Sequence, residues 1–385
     1  MGEAPILLDV SRLIWRQWTG RLPTGIDRVC LAYLEHFAPR ARAVVQFRRF
    51  RRILSGRDSR RLFRLLGEET PHFRARLTAM LMVAVPGSAK GVEGALYLNV
   101  GHTGLDSPYL APWLTAHRTK PVFLIHDLIP ITHPQLCRPG EAERHRQRIT
   151  RALASARGII VNSADTKQEL TRFGVRSGLA TPPCLVAWLG VERSIPPEVA
   201  DSSRAERPYF MMVGTIEARK NHQLVLGLWA ELVARLGPEA PELIIVGQRG
   251  WEAQSAFDIL DAPGPLSSHV HELRRCADRQ LYALIGGARA LLMPSFVEGF
   301  GLPLVEAIQL GTPVIASDLA VFREIAGDIP EYCNPAEPDH WFQAVIDYSK
   351  DGPKRREQLD RAAAFRAPSW EEHFSRVEAF LSSIC

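Results

Sequence analysis

No apolar run in the sequence is long enough to cross a bilayer: the longest, Ala79 to Val85, falls far short of the roughly 20 residues a spanning helix needs. Glu3 and Asp9 stand where a secretory leader would need a basic and then an uninterrupted apolar stretch, so a cytoplasmic protein is expected. The six cysteines, Cys30, Cys137, Cys184, Cys276, Cys333 and Cys385, lie far apart with no C-x-x-C pair, which argues against a zinc ribbon or a redox dithiol. They read as reduced thiols, mostly in the core. There is no Asp-x-Asp pair to hold a divalent ion against a diphosphate and no His/Cys cluster with zinc spacing, so no metal site is expected. A complete G-x-G-x-x-G and a Walker lysine motif are both missing, which takes the main support from nicotinamide and P-loop chemistry. Internal repeats and low-complexity tracts are lacking too.

What is present is a chain of 385 residues, 46% hydrophobic, too long for one ordinary core and suited to two. The net charge of +5 is unevenly placed. Arg40, Arg42, Arg48, Arg49, Arg51, Arg52, Arg57, Arg60, Arg61 and Arg64 meet one acid, Asp58, within their segment. Interleaved Phe47, Phe50, Leu54, Leu62, Phe63, Leu65 and Leu66 make the stretch look amphipathic. It would suit the headgroup zone of an anionic membrane, with the protein peripheral on the inner face, or a pyrophosphate-linked acceptor. A solvated helix face or a strand-to-helix connection explains it equally well. Nucleic acid is the weaker reading and is not expected as a partner.

Short β-rich runs recur with helical patterns between them: Ile6 to Val10, Ala43 to Phe47, Ala95 to Val100, Pro121 to His126, Gly158 to Asn162 and Cys184 to Trp188. This is the rhythm of βα units. A polar stretch with Pro196 and Pro197 follows Arg193 and reads as a linker. The rhythm then restarts with Tyr209 to Val213, Leu243 to Val246, Ala290 to Met293 and Thr312 to Ala316. The expected organisation is an α/β chain with two doubly wound, Rossmann-like domains: residues 1–193, a linker over 194–207, residues 208–367, and a terminal helix over 368–385 packing back on the first domain. In the second domain Leu224, Val225, Leu228, Trp229, Leu232, Val233 and Leu236 form one helical stripe, with Asn221 as its cap and Gly237 as its stop.

In open parallel sheets ligands bind beyond the carboxyl ends of the strands. The residues there are polar: His126 and Asp127, Asn162 and Ser163, Gly214 and Thr215, Gly247, and Ser295 through Glu298. The most specific segment runs Pro294-Ser-Phe-Val-Glu298-Gly299-Phe300-Gly301-Leu302-Pro303-Leu-Val-Glu306, a strand end, a glycine turn and a helix opened by proline. Its glycines allow close backbone approach and its free amides suit a phosphate. Glu298 and Glu306 could accept from hydroxyls of a transferred sugar and a ribose; for either glutamate taken alone the plainer reading, Glu298 as a helix-entry charge and Glu306 as a surface residue, is favoured.

Glu298 to Glu306, continuing into Gly311-Thr-Pro-Val-Ile-Ala-Ser317, resembles the E-x7-E signature of retaining GT-B glycosyltransferases of the large family numbered four. The resemblance implies that Glu298 touches the donor sugar and Glu306 the ribose, with Gly299, Phe300, Gly301 and Leu302 lining the donor. Val213-Gly-Thr215-Ile-Glu-Ala-Arg219-Lys220-Asn221 resembles the family's donor-diphosphate loop, with Thr215 where many relatives carry arginine. It assigns the phosphates to Lys220 and Arg219. Phe123-Leu-Ile-His126-Asp127-Leu-Ile-Pro130 resembles the strand end that places a histidine near the donor sugar. There His126 would bond a sugar hydroxyl or the leaving phosphate, and Asp127 would orient it or steady positive charge; a buried histidine with no such role is the bland alternative. Thr19 to Val29 resembles a flexible loop whose Gly25 amide reaches the diphosphate, though proline and glycine also mark ordinary loops. Gly247 to Trp251 follows another strand and would flank the base, with Trp251 as a core residue the alternative.

The resemblance implies metal-independent transfer with retention, no cofactor, and a nucleotide-sugar donor. The Gly-Thr-x-Glu-x-Arg-Lys-Asn and His-Asp-Leu-Ile-Pro strings look like those of bacterial mannosyltransferases of polysaccharide assembly, which favours GDP-mannose over a UDP-sugar. The acceptor would be a glycan or lipid-linked saccharide. A nucleotide-sugar-binding protein without transfer activity, or an epimerase or phosphorylase on the same fold, are the alternatives.

Overall fold

Branched and aromatic runs such as Ile6-Leu-Leu, Val122-Phe-Leu-Ile and Phe210-Met-Met are buried on both faces, as strands of a parallel sheet covered by helices must be. The computed structural model describes residues 5–20, 23–68, 72–83, 92–191 and 207–385. Of the expected linker over 194–207, only Arg207 lies among them.

The chain divides into two compact units. The first comprises residues up to Ile131, Ala142–Leu189 and Trp370–Cys385. Its sheet has seven strands: β1 (Ile6–Asp9), β2 (Ala41–Phe47), β3 (Phe50–Ile53), β4 (Leu96–Asn99), β5 (Lys120–Ile125), β6 (Gly158–Val161) and β7 (Cys184–Val186). The order is β3-β2-β1-β4-β5-β6-β7, parallel except for β3, which turns back antiparallel on β2 with Phe47 opposite Phe50. The helix Trp370–Ser383 belongs to this unit and buries Phe374, Val377 and Leu381. A Cβ on Gly158 would stand 2.8 Å from Phe380, so the glycine is what lets this helix lie on β6. His373 accepts from Tyr33 Oη (2.9 Å) through Nε2 and donates from Nδ1 to the Trp188 carbonyl (2.8 Å), pinning the helix from both ring nitrogens.

The second unit comprises Thr132–Glu141 and Gly190–Ser369. Its strands are β8 (Tyr209–Val213), β9 (Glu242–Val246), β10 (Val270–Leu273), β11 (Leu291–Met293), β12 (Val314–Ser317) and β13 (Glu331–Cys333). They run parallel in the order β10-β9-β8-β11-β12-β13, the doubly wound Rossmann order. The helix His222–Leu236 buries Val225, Leu228, Trp229, Leu232 and Val233 as its stripe requires, at about 1.5–3 kcal/mol for each large aliphatic side chain. Asn221 holds the cap position in left-handed conformation, yet its side chain does not cap: Nδ2 reaches the Pro335 carbonyl instead (3.4 Å).

Two other expectations are corrected. Only Cys30 and Cys333 are buried, and Cys385 is exposed; among the described residues no two cysteines form a disulfide. The arginine-rich stretch is not one amphipathic element. It is the β2–β3 hairpin followed by the helix Gly56–Gly67, whose apolar face (Leu62, Phe63, Leu66) is buried within the unit.

Candidate active site

In the second unit the strand order reverses at β8 and β11, which sit side by side. At such a switch point the loops leaving two neighbouring strands part and open a crevice. The loop after β8 becomes the short 3-10 turn Ala218–Lys220, and the loop after β11 carries Ser295 to Gly301. The Phe296 amide donates to the Arg219 carbonyl (2.9 Å), tying the two loops together.

Their side chains meet on Glu298, which is 7% exposed. Its Oε1 accepts from Lys220 Nζ (2.5 Å) and Ser295 Oγ (2.7 Å), its Oε2 from Arg219 Nη1 (2.7 Å). Burial pushes this carboxyl up, but the Arg219 and Lys220 charges outweigh it and hold the group at about 2. Glu217, 2% exposed, takes Arg219 Nε at 2.6 Å, so one guanidinium spans two carboxylates. Burial raises the Glu217 carboxyl against the pull of Arg219 and Lys220. Lys220 is lowered by burial against the pull of Glu298. His222, opening the next helix, is driven down to about 3 by burial and then by Lys220 and Arg219, and is therefore neutral.

Glycines set how closely these loops approach. A Cβ on Gly247, after β9, would lie 1.8 Å from the Gly214 carbonyl oxygen, and one on Gly250 2.6 Å from the Thr215 side chain. Gly301 caps the helix Leu302–Gln309 at φ +100°, with Pro303 in its first turn and Phe322 2.6 Å from where a Cβ would stand. Phe300, Leu302 and Glu306 are buried beside it; Gly299 is half-buried in the turn. Thus Thr215, Arg219, Lys220, Gly247, Glu298, Gly299, Phe300, Gly301, Leu302 and Glu306 all lie on loops or the helix that follow β8, β9 and β11. Trp251, on the loop after β9, stacks under the Arg138 guanidinium at 4.3 Å.

The first unit reverses its strand order at β1 and β4. His126, just past β5, is 4% exposed and donates from Nε2 to the Val100 carbonyl (2.8 Å). Burial, only partly offset by that bond, lowers it to about 4. A neutral ring that donates from Nε2 keeps Nδ1 as an acceptor, so it can take a sugar hydroxyl proton but cannot donate to a phosphate. Asp127 does not orient it: its Oδ1 accepts from the Ile129 amide (3.0 Å) and so starts the turn Ile129–Thr132. Gly25 is not in a loop but opens the helix Gly25–Phe37, where the Asp27 carboxylate accepts from the Thr24 amide (2.8 Å) and binds Arg12 (2.7 Å) and Arg16 (2.9 Å). Arg21 and Leu22 lie outside the described residues.

Glu217 and His222 were not singled out in the sequence, although Glu217 sits inside the Gly-Thr-Ile-Glu-Ala-Arg-Lys string; Ser295 was named only as one of the polar residues at a strand end. Also missed was the buried network on Asp9, which accepts from Tyr97 Oη (2.7 Å) and Gln46 Nε2 (2.6 Å). Among the described residues no group of three His, Cys, Asp or Glu side chains could hold a metal ion, and no helix is long and apolar enough to cross a membrane.

Residues 198–365 match the model of a family described as glycosyl transferases group 1. Within this chain that stretch, most of the second unit, is what resembles the family. The serotype-specific mannosyltransferase WbdA of Escherichia coli is 29% identical over 256 residues, 62% of this chain and 31% of WbdA. O-antigen chain mannosyltransferase B of the same organism is 32% identical over 167 residues, 42% of each chain. The chain thus spans about a third of the length of WbdA. Anabaena HepE, crystallised with UDP and glucose, superposes with a TM-score of 0.70 at 16% identity, over 99% of this chain and all of HepE. Sucrose-phosphate synthase of Thermosynechococcus elongatus gives 0.65 at 16% identity, over 99% of each. At that identity the likeness concerns the fold, which is GT-B: two Rossmann-like units, here of seven and six strands.

Proposed function

We propose that this chain is a glycosyltransferase that moves a hexose, mannose by preference, from a nucleotide-diphosphate sugar to a glycan or lipid-linked saccharide, with retention and without a metal or other cofactor. The observation that carries the reading is the convergence of Arg219, Lys220 and Ser295 on the ionised Glu298 at the switch point of the second sheet. Two cations at a strand-end crevice suit the neutralising of a diphosphate, and a carboxylate beside them suits the accepting of sugar hydroxyls. WbdA and the other named relatives of polysaccharide assembly support mannose, hence GDP-mannose as the donor; HepE, crystallised with UDP-glucose, keeps a UDP-sugar as the alternative.

In this reading the anomeric carbon–oxygen bond to the diphosphate breaks through an oxocarbenium-like state. The acceptor oxygen bonds to the same face, and its proton passes to the departing phosphate oxygen. Lys220, Arg219 and the amides opening the helix at Leu302 stabilise the charge growing on that phosphate. Glu306 takes the ribose hydroxyls, and His126 accepts from a sugar hydroxyl through Nδ1. We place the enzyme in the cytoplasm, where nucleotide sugars are made and thiols stay reduced.

The test is release of nucleoside diphosphate from GDP-mannose, UDP-glucose, UDP-N-acetylglucosamine and dTDP-rhamnose, by the native protein and by Glu298→Ala, with and without chelator. Slow hydrolysis of one donor, resistant to chelator and lost in the variant, is expected. No binding and no turnover of any donor would overturn the reading; binding with no turnover in the presence of a glycan acceptor panel would favour a binding protein. A sugar epimer or sugar phosphate as product would point instead to an epimerase or phosphorylase.

A further inference from the structure

We propose that the tip of the β2–β3 hairpin is a docking point for an anionic membrane surface, independently of which sugar the enzyme transfers. The tip reads Phe47-Arg48-Arg49-Phe50. Phe47 and Phe50 face each other across the last rung of the hairpin and are 59% and 55% exposed. Isolated exposed apolar residues are ordinary, but two phenylalanines paired at the end of a hairpin form a small apolar wedge.

The surroundings give that wedge its partner. Arg48 and Arg49 are both exposed between the rings. The Arg48 guanidinium lies over the Phe47 ring (5.4 Å) and that of Arg49 over the ring of Tyr109 (5.0 Å), itself 43% exposed. Arg51, on the same hairpin, donates to Ser107 Oγ (2.8 Å), which holds the tip against the Ser107–Tyr109 segment. The single acid of the whole arginine-rich stretch, Asp58, is buried at the start of the following helix and faces Ser55 (2.7 Å) rather than this surface. Aromatic rings at the level of lipid headgroups, ringed by arginines that meet anionic phosphates, are the chemistry of an interfacial anchor.

Arg48 has φ +54°, the left-handed conformation that a two-residue hairpin loop asks of its first residue. The helix Gly56–Gly67 is not the anchor, because its apolar face is already used in the core.

The test is flotation of the full-length protein with vesicles of phosphatidylcholine containing about a third phosphatidylglycerol, compared with pure phosphatidylcholine, at low and at 0.5 M salt. Binding to the anionic vesicles alone, weakened by salt, is expected. Arg48→Gln with Arg49→Gln should weaken it by roughly 25-fold, at about fivefold per arginine. Phe47→Ser with Phe50→Ser should weaken it at least tenfold, whereas Arg275→Gln with Arg279→Gln on the second unit should leave it unchanged. A Phe47→Trp variant should show blue-shifted emission with anionic vesicles and quenching by brominated lipid. Absence of binding at low salt, equal binding to neutral vesicles, or binding untouched by both tip variants would each overturn the proposal. All variants are at exposed positions, and an unchanged melting temperature serves as the folding control.

Discussion

Replacing Glu298 by glutamine should make the protein bind nucleoside diphosphate more tightly while abolishing sugar release. The site holds two cations, Arg219 and Lys220, and two carboxylates, Glu217 and Glu298, so its charges are already balanced. A diphosphate has to draw Lys220 and part of Arg219 away from Glu298. The carboxyl is held at about 2 instead of 4.5, which at about 1.4 kcal/mol per pH unit is about 3 kcal/mol in favour of the ionised, paired form. If the diphosphate displaces roughly half of that pairing, the native protein forfeits on the order of 1–2 kcal/mol on binding, and Glu298→Gln should lower Kd by roughly an order of magnitude. Titration calorimetry with GDP and UDP measures this directly, and because neither carries a sugar, loss of a sugar contact cannot mask the gain. The same variant leaves Lys220 less well paired, so its ligand-free melting temperature should fall by about 5–10 °C, given a few kcal/mol for breaking a buried pair. Added diphosphate should restore more of the melting temperature in the variant than it adds to the native protein. An unchanged or higher Kd in a folded variant would refute the competition between carboxylate and phosphate.

Glu217→Gln should raise the donor KM by about tenfold with a smaller change in kcat, because it frees the Arg219 guanidinium that Glu217 holds at Nε without touching the sugar; initial-rate kinetics check this. The buried histidines make stability acid-sensitive: His126 and His373 are lowered to about 4 and His222 to about 3, so all are neutral when folded. Their folded values lie below the unfolded 6.5, so their contribution is complete above about pH 6.5 and lost as the pH falls toward 4. Urea midpoints should drop over that window, and His373→Gln should flatten the drop. Glu298 contributes in the same direction but lower, between about pH 4.5 and 2. Gly247→Ala should destabilise by several kcal/mol and lower the soluble yield, since its Cβ would fall 1.8 Å from the Gly214 oxygen; thermal melting of whatever is recovered measures it.

The buried central strands were legible because burial on both faces leaves an unmistakable apolar run, as in Phe210-Met-Met and Leu291-Leu-Met. Two edge strands were not, although the edge strand Cys184–Val186 was. Glu331-Tyr-Cys and Val270-His-Glu-Leu pair on one side only and carry polar residues on the other, so composition does not separate them from loop. Phe50-Arg-Arg-Ile hid for a different reason: an adjacent pair of arginines between two apolar residues lacks the strand alternation and suits a turn or an amphipathic helix as well, and only pairing with β2 decides. Local rules also misplaced two side chains. Asp127 follows a histidine and so suggested an orienting carboxylate, but a carboxylate two residues before a free amide closes onto that amide. Asn221 suits a cap by type, but the left-handed backbone it adopts turns its side chain away.

The candidate site depends on topology more than on motif. Arg219 and Glu298 are far apart in sequence, and nothing local to either says that they meet. They meet because β8 and β11 are neighbours at the point where strand order reverses, so each loop leaves its sheet on the side away from the other's helix. Lys220 reaches the same carboxylate because the 3-10 turn Ala218–Lys220 places it beside Arg219 before Asn221 reverses the chain into the next helix. Glu217, at the start of that turn, is left with the Arg219 Nε edge. The result is a guanidinium held by one carboxylate and shared with a second. Exchange of the second for a phosphate then costs no reorganisation of Arg219, because Glu217 keeps its grip throughout. Such a cation is preorganised for a charge that develops on a leaving group, since its position is fixed before the ligand arrives.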